Sequence, residues 1–394
     1  MKRSYKYRIY PNEQQIEILE KNLNFCSFLY NNALEESISY YKRFNKTRSY
    51  SQQCAQLPEI KELYAEETKG LYSQTIQQVL KKRETAFKNF FRRVKAKSGK
   101  AGFPRYQSRD RSNSLIFPQA QMTKGHWGGV KLLENKKLQI FGIPGEVKVK
   151  WHRPFQGQCK QVSIKRQAGE FYLILSCDAV PLVPLASTGK SIAIDLGLTN
   201  FITADDGTKY HHPKPYKTSK EKLAYAQRKL SLKQNGSKNR IKAKKRVAKL
   251  SEHIANIRKD FQHKLALKLI RENDEIILED LNIKSMLEGA QSAPGFEVSK
   301  LNISDASWGS FAKILSDKAE KAGRKITKVN PRRTSKTCSR CLKIKESLKL
   351  FDRTFDCQFC ELTMDRDQNA ALNIRRLGMS LAIDAKASVS EVSI

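Results

Sequence analysis

Apolar and polar residues alternate with period two over Ser4–Tyr10, which predicts a strand that Pro11 ends. The spacing then becomes helical. Ile16 and Leu19, then Phe25, Phe28, Leu29, Ala33 and Leu34, predict helices over about Glu13–Lys21 and Asn24–Arg43, with Asn12 and Gln15 spaced as a capping box. A shorter helix is expected around Ser51–Tyr64, interrupted by Pro58. A stronger one is expected over about Gln74–Lys97, capped by Ser73, with Ile76, Leu80, Phe87, Phe90, Phe91 and Val94 as its apolar face.

Ser98–Arg111 reads as loop, and the pattern then shortens to strands: Ser114–Phe117, Gly129–Leu133, Leu138–Phe141, Val147–Trp151, Val162–Arg166 and Phe171–Cys177. If Ser4–Tyr10 joins this β-rich module, the helices of residues 12–97 are an insertion into it. Val180–Thr188 reads as a linker.

From Ser191 the pattern is α/β. Ser191–Asp195 is a short apolar run ending on a carboxylate, Thr199–Ala204 is a second run, and Asp205-Asp206-Gly207 supplies a turn. Thr218–Arg271 reads as an antiparallel helix pair broken near Asn235-Gly236-Ser237. Asp274–Asp280 is a buried strand ending in two acids. Gly289–Ser299 reads as loop, Trp308–Lys321 as helix with Gly323 beyond it, Lys325–Val329 as strand, and Asp365–Arg376 as the last firm helix. The residues after Gly378 are expected to be loosely ordered.

Charge narrows the class. The 394 residues carry 74 Lys and Arg against 39 Asp and Glu, a net charge of +35. With 14 Tyr and 18 Phe this is a folded chain and not a basic tail, and its expected partner is nucleic acid. Lys81, Lys82, Arg83, Lys88, Arg92, Arg93 and Lys95 on one helix, and Lys238, Arg240, Lys242, Lys244, Lys245, Arg246 and Lys249 on another, are candidate phosphate contacts. No apolar run reaches the roughly 18–20 residues of a membrane span. The opening MKRSYKYRIYP lacks the apolar centre of a signal peptide, so the expected location is the cytoplasm, with no membrane partner.

Cys26, Cys54, Cys159 and Cys177 are scattered and read as isolated thiols, whereas Cys338, Cys341, Cys357 and Cys360 follow C-x2-C-x15-C-x2-C. That spacing predicts a structural four-thiolate zinc ribbon, an iron–sulfur cluster having little support. Arg332, Arg333, Lys336, Arg340, Lys343 and Lys345 make the ribbon basic. Adjacent His211 and His212 read as loop residues.

Three acids fall at element ends: Asp195, then Glu279 or Asp280, then Asp365 or Asp367. Carboxylates so placed are the ligands that metal-assisted phosphodiester hydrolysis needs, with two Mg²⁺ held roughly 4 Å apart. For Asp195 alone, a hydrogen-bonded turn residue is as good a reading. Spacing does not choose between Glu279 and Asp280. Asp365 with Gln368 fits a capping box, which leaves Asp367 as the candidate ligand, with small Ala370 and Ala371 on its face. Gly197 is expected to let a phosphate approach.

SIAIDLGLTNFITADDG, IILEDL and TSKTCSRC…CQFC…DRDQNAALNI, in this order, resemble the split RuvC nuclease domain and inserted zinc ribbon of the TnpB proteins, transposon-encoded RNA-guided nucleases related to type V CRISPR effectors. YKYRIYPNEQQ, GFPRYQSR and the basic helix pair extend the likeness over nearly the whole chain. The resemblance implies catalytic, Mg²⁺-binding roles for Asp195, Glu279 and Asp367. It implies a multidomain α+β chain: a β-barrel-like wedge domain (1–11 and 98–182) with an inserted helical recognition domain (12–97), an RNase H-like RuvC domain (189–330 and 362–378), a zinc ribbon (331–361) and a C-terminal tail (379–394). It further implies a guide RNA from the transposon end and cleavage of double-stranded DNA beside a short transposon-adjacent motif. Family ribbons usually carry Gly after the second Cys of each pair, where Leu342 and Glu361 stand here. An RNA-guided binder without cleavage and a strand-transfer transposase are the alternative classes.

Overall fold

The computed structural model describes residues 1–96, 101–108, 113–119, 128–133, 135–288, 296–349 and 352–391. It has two compact units, Met1–Pro181 and Leu182–Ile394.

The first unit contains β1 (Arg3–Tyr10), α1 (Glu13–Phe44), α2 (Tyr50–Ala55), α3 (Leu57–Leu63), α4 (Ala65–Thr68), α5 (Ser73–Lys95), β2 (Ser114–Phe117), β3 (Val130–Leu132), β4 (Leu138–Ile140), β5 (Lys148–Lys150), β6 (Gln158–Gln167) and β7 (Glu170–Asp178). Five strands form one sheet in the order β2-β6-β7-β1-β5, and β3 and β4 pair separately. The period-two pattern of β1 buries Tyr5, Tyr7 and Ile9. They share a core with Leu19, Leu23 and Leu29 of α1 and Leu173 and Leu175 of β7.

The two helices expected over residues 13–43 are one helix of 32 residues. No Gly or Pro interrupts it, and Asn22 at the expected break is buried, its side-chain amide donating to the Gly70 carbonyl at 3.3 Å. Asn12 and Gln15 close the capping box at its start. Pro58 sits in the first turn of α3, where its missing N–H costs nothing, so the break falls at Gln56. Ser73 is the first residue of α5 and not its cap; its hydroxyl instead accepts from Lys61 at 2.7 Å.

The second unit contains β8 (Ser191–Asp195), β9 (Ile202–Ala204), β10 (Lys209–Tyr210), α6 (Pro215–Ser231), α7 (Lys238–Glu272), β11 (Glu275–Glu279), α8 (Ile283–Glu288), α9 (Phe296–Ala306), α10 (Trp308–Ala322), β12 (Lys325–Val329), β13 (Thr354–Asp356), β14 (Thr363–Asp365) and α11 (Arg366–Glu391). Its main sheet has the order β10-β9-β8-β11-β12. β9 runs antiparallel to both β10 and β8, and β8, β11 and β12 run parallel. Ile192, Ile194, Ile276 and Leu278 pack on one side with Leu265 and Leu269 of α7 and Phe311 and Leu315 of α10. Ala193, Ile277 and Val329 pack on the other with Ile374 of α11. Burial on both faces is why β8 and β11 read as continuous apolar runs.

Other boundaries also move. The strand expected from Thr199 begins at Ile202. Of the loop expected at 289–299, residues 289–295 lie outside the described residues and 296–299 are the start of α9. The expected linker is tied into the second unit: Val183 and Leu185 donate to the Lys321 and Ala322 carbonyls, and Ser187, Thr188 and Gly189 donate to the Asp274 carboxylate. The last helix does not stop near Gly378 but continues to Glu391. Gly378 is needed for packing, since a Cβ there would lie 2.5 Å from Ile277 of β11. Among the described residues no helix is long and apolar enough to cross a membrane.

Candidate active site and metal centre

Asp195 ends β8 and Glu279 ends β11, its parallel neighbour. The register pairs Ile194 with Leu278, and both face the α7–α10 core. Side chains alternate along a strand, so Asp195 and Glu279 share the opposite face, where α11 packs and where Asp367 stands in its first turn. The three acids therefore converge from two strands and a helix. Burial first, then the Glu279 and Asp367 charges, hold Asp195 well above the usual carboxylate range. Burial raises Glu279 too, opposed by the Thr334 hydroxyl, which donates to its Oε1. Asp367 is raised by burial and by Asp365.

The neighbouring acids have other work. Asp280 is exposed and pairs with Lys328 at 2.8 Å. Asp365 accepts from the backbone N–H groups of Asp367 and Gln368 at 3.0 and 3.1 Å and pairs with Lys209 at 2.7 Å. It caps α11, but the capping box is not closed, because the Gln368 side chain turns to the Asp205 carbonyl. Among the described residues Asp195, Glu279 and Asp367 form no salt bridge. Arg366 acts favourably on Asp195, and Arg353, Arg366 and Lys209 on Asp367, without outweighing burial, so the three hard oxygen donors remain a donor set suited to Mg²⁺.

Thr334, Asn369 and Asn373 were not legible as site residues. The Asn369 amide oxygen accepts from Ser339 N–H at 2.9 Å, and its nitrogen donates to the Thr337 carbonyl at 2.8 Å. Asn373 donates to the Thr334 and Thr337 carbonyls at 3.0 and 2.7 Å. Both are buried, and together they fasten the cysteine-bearing segment to the helix that carries Asp367. The NxxxN spacing on one helical face was the available signal. Ala370 and Ala371, expected to leave room for a substrate, are 2% and 0% exposed, so they serve packing. A Cβ at Gly197 would lie 2.8 Å from the Asn200 carbonyl oxygen, so the turn requires glycine, and 3.9 Å from Asp367 Oδ2, which puts the residue beside the acids. His212 stacks on Phe201 at 5.4 Å and its Nδ1 accepts from Lys214 N–H, so it packs as a loop residue.

Cys338, Cys341, Cys357 and Cys360 bring four sulfurs within 4.8 Å of one another. The Cys338–Cys360 and Cys341–Cys357 sulfur separations are 3.6 and 3.5 Å. A tetrahedron with Zn–S of about 2.3 Å has edges of about 3.8 Å, so the cluster fits a zinc site. Backbone N–H groups, that of Phe359 first, pull Cys357 down to about 6, while burial and the neighbouring sulfurs raise Cys341 and push Cys360 up to about 12. Leu342 and Glu361 adopt φ of 64° and 58° and donate to the Cys338 and Cys357 carbonyls at 3.0 Å each. The turn closes with non-glycine residues held in the left-handed region.

The basic runs are partly structural. Lys238, Lys242, Lys244, Lys245, Arg246 and Lys249 lie exposed on α7, but Arg240 donates to the Leu230 and Lys233 carbonyls. On α5, Arg83 is buried and binds the Arg48 carbonyl and the Gln53 side chain. In the ribbon, Arg333 and Lys336 pair with Glu346, and Lys345 with Asp356.

Residues 165–290 match the OrfB_IS605 family, described as "Probable transposase". Residues 308–374 match the Cas12f1-like TNB domain, and residues 1–46 a helix-turn-helix domain, although here they form one strand and one unbroken helix. A "Putative RNA-guided DNA endonuclease" of Streptomyces pristinaespiralis is 32% identical over 96% of this chain and 90% of its own length. The "Putative RNA-guided DNA endonuclease InsQ" of Escherichia coli is 30% identical over 95% and 92%. Among solved structures, the Cas12f1–sgRNA–target DNA complex superposes with a TM-score of 0.53 at 16% identity, over 92% of this chain and 83% of that one. The chain belongs to the TnpB family, related to the Cas12 effectors.

Proposed function

We propose that this protein is an RNA-guided DNA endonuclease, in which a transposon-derived guide RNA directs cleavage of double-stranded DNA beside a short transposon-adjacent motif. The carrying observation is the convergence of Asp195, Glu279 and Asp367 on one face of the second sheet. The strand order, three antiparallel then two parallel, supports reading 189–330 and 362–378 as an RNase H-like RuvC domain. In the first unit β1 lies between β7 and β5 while α1–α5 follow it in the chain, which supports a wedge (1–11 and 98–182) with an inserted recognition domain (12–97). Residues 331–361 are then a structural zinc ribbon.

Asp195, Glu279 and Asp367 would hold two Mg²⁺, which supply an activated water and a stabilised leaving oxygen for phosphodiester hydrolysis. The chain's own part is to aim the three carboxylates, whose buried charge a bound cation would stabilise. Thr334 orients Glu279, while Asp365, occupied by Lys209 and the α11 amides, sets the first turn that presents Asp367. The order of acids, with Glu on a strand and Asp on the last helix, disfavours strand transfer, whose enzymes typically end on a helical Glu. Base pairing to the guide would supply most specificity, and the +35 charge holds RNA and DNA.

The test is to purify the protein with co-expressed RNA, sequence that RNA, and challenge a plasmid library bearing randomised flanks with Mg²⁺ or with EDTA. Cleavage by the wild type in Mg²⁺ alone, lost in Asp195→Ala, is expected. Equal cutting by Asp195→Ala would overturn the site, and no cutting under any condition would overturn the activity.

A further inference from the structure

The helical part of the first unit holds a cavity of about 650 Å³ that nothing above uses. Its walls carry six aromatic rings: Tyr41 from α1, Tyr50 from α2, Phe87, Phe90 and Phe91 from α5, and Phe103. The amphipathic pattern of α5 marked Phe87, Phe90, Phe91 and Val94 as core, yet only the N-terminal part of that face, Ile76 and Leu80, is fully covered. Tyr41, Phe91 and Phe103 are 53%, 51% and 48% exposed. The rings order one another: Phe87 stacks on Phe91 at 6.2 Å, and Phe103 stands edge-on to Phe87 and Phe90 at 5.6 and 5.2 Å.

An aromatic hollow alone does not choose its occupant; the charges around it do. Lys42, Arg48, Arg83 and Lys88 line it; Arg48 pairs with Glu36, Lys88 with Glu84, and Arg83 is held by the Arg48 carbonyl and Gln53, so four cations against two carboxylates leave the hollow net positive. A greasy peptide has no use for that excess of cations. A nucleotide does, because its base offers a flat apolar face to the rings while its phosphate meets the rim. Duplexes keep their bases stacked inside, whereas a folded RNA exposes unpaired bases in loops and bulges, and proteins read these by stacking on Phe, Tyr and Arg planes.

We propose that this cavity is a stacking site for unpaired bases of the bound guide RNA, with Phe91 and Tyr41 as the accessible platforms and Lys42 and Lys88 as phosphate contacts. The proposal rests on the RNA partner proposed above. Stacking on an aromatic side chain makes a contribution that alanine substitution removes as roughly a 5- to 100-fold loss of affinity per base.

The probe is the RNA that co-purifies with the protein, stripped, end-labelled and rebound. Phe91→Ala and Tyr41→Ala are expected to weaken rebinding 5- to 100-fold. Phe91→Trp is expected to restore it, and Phe91→Leu, which keeps apolar volume but removes the π face, is not. Ultraviolet crosslinking of the wild-type complex should place RNA adducts on peptides bearing Phe91 or Tyr41. Unchanged affinity in both alanine variants, with RNA adducts only elsewhere, overturns the proposal. Full binding by Phe91→Leu, or wild-type dimers that Phe91→Ala dissociates in sedimentation, assigns the hollow to a protein partner and overturns it equally. Absence of any co-purifying RNA would instead strike the RNA-guided reading, so the two failures are distinguishable.

Discussion

Glu279 is nine-tenths buried, and the Thr334 hydroxyl donates to its carboxylate. Thr334→Val keeps the shape and removes that donor. By analogy with other groups that orient metal ligands, the Mg²⁺ concentration needed for half-maximal cleavage should rise about 10- to 100-fold, and the melting temperature should fall by a few degrees because a buried carboxylate loses its donor. A Mg²⁺ titration alongside a thermal melt checks both. Asp195 makes a different prediction. Its carboxyl is held above the ordinary range by burial and by Glu279 and Asp367, so the folded metal-free protein binds protons more tightly there than the unfolded chain does. Stability without Mg²⁺ should therefore rise as pH falls through that raised range. Asp195→Asn should raise the melting temperature in EDTA near neutral pH and abolish cleavage. Added Mg²⁺ should stabilise the wild type and not the variant, as calorimetry in each condition would show.

At the scale of elements, the knuckle turns and the last helix show where sequence patterns stop. The C-x2-C spacing locates the four sulfurs, but not that Leu342 and Glu361 sit at positive φ. A non-glycine residue in that region costs roughly 1–2 kcal/mol. Leu342→Gly or Glu361→Gly should thus strengthen zinc retention, by roughly fivefold for each 1 kcal/mol recovered, measured by competition with a chromogenic chelator. Strand parity explains why Glu279 and not Asp280 joins Asp195, but parity needs a register, and register is a contact between distant segments that spacing along the chain does not carry. The apolar periods of β1, β8, β11 and α10 were legible because each is covered along its length. The face of α5 misled because its second half is only partly covered, with Phe91 and Val94 left half-exposed, and α11 outran its expected end because Gly378 is a packing glycine and not a stop.

At the scale of the molecule, net charge named the partner class before any site was placed, since an excess of +35 spread over a folded chain is a long-range field. It did not say which cations are free to act. Arg83 and Arg240 are spent on backbone carbonyls, whereas Lys238, Lys242, Lys245 and Arg246 stand exposed along α7. Replacing those four with alanine should weaken nucleic-acid binding about equally for unrelated sequences. It should also reduce the slope of log affinity against log salt by about 3, read from filter binding across a salt series. Cutting specificity should remain that of the guide.

Glu279 and Asp367 act against the Asp195 charge across a shared face, and burial raises all three acids. Replacing Glu279 or Asp367 relieves Asp195. On the proposed assignment, loss of cutting is downhill in folding free energy: one codon change at Glu279 or Asp367 would leave an intact binder with a less strained Asp195. A lineage released from selection for cleavage would be expected to decay at Asp195, Glu279 or Asp367 before it decays in its core.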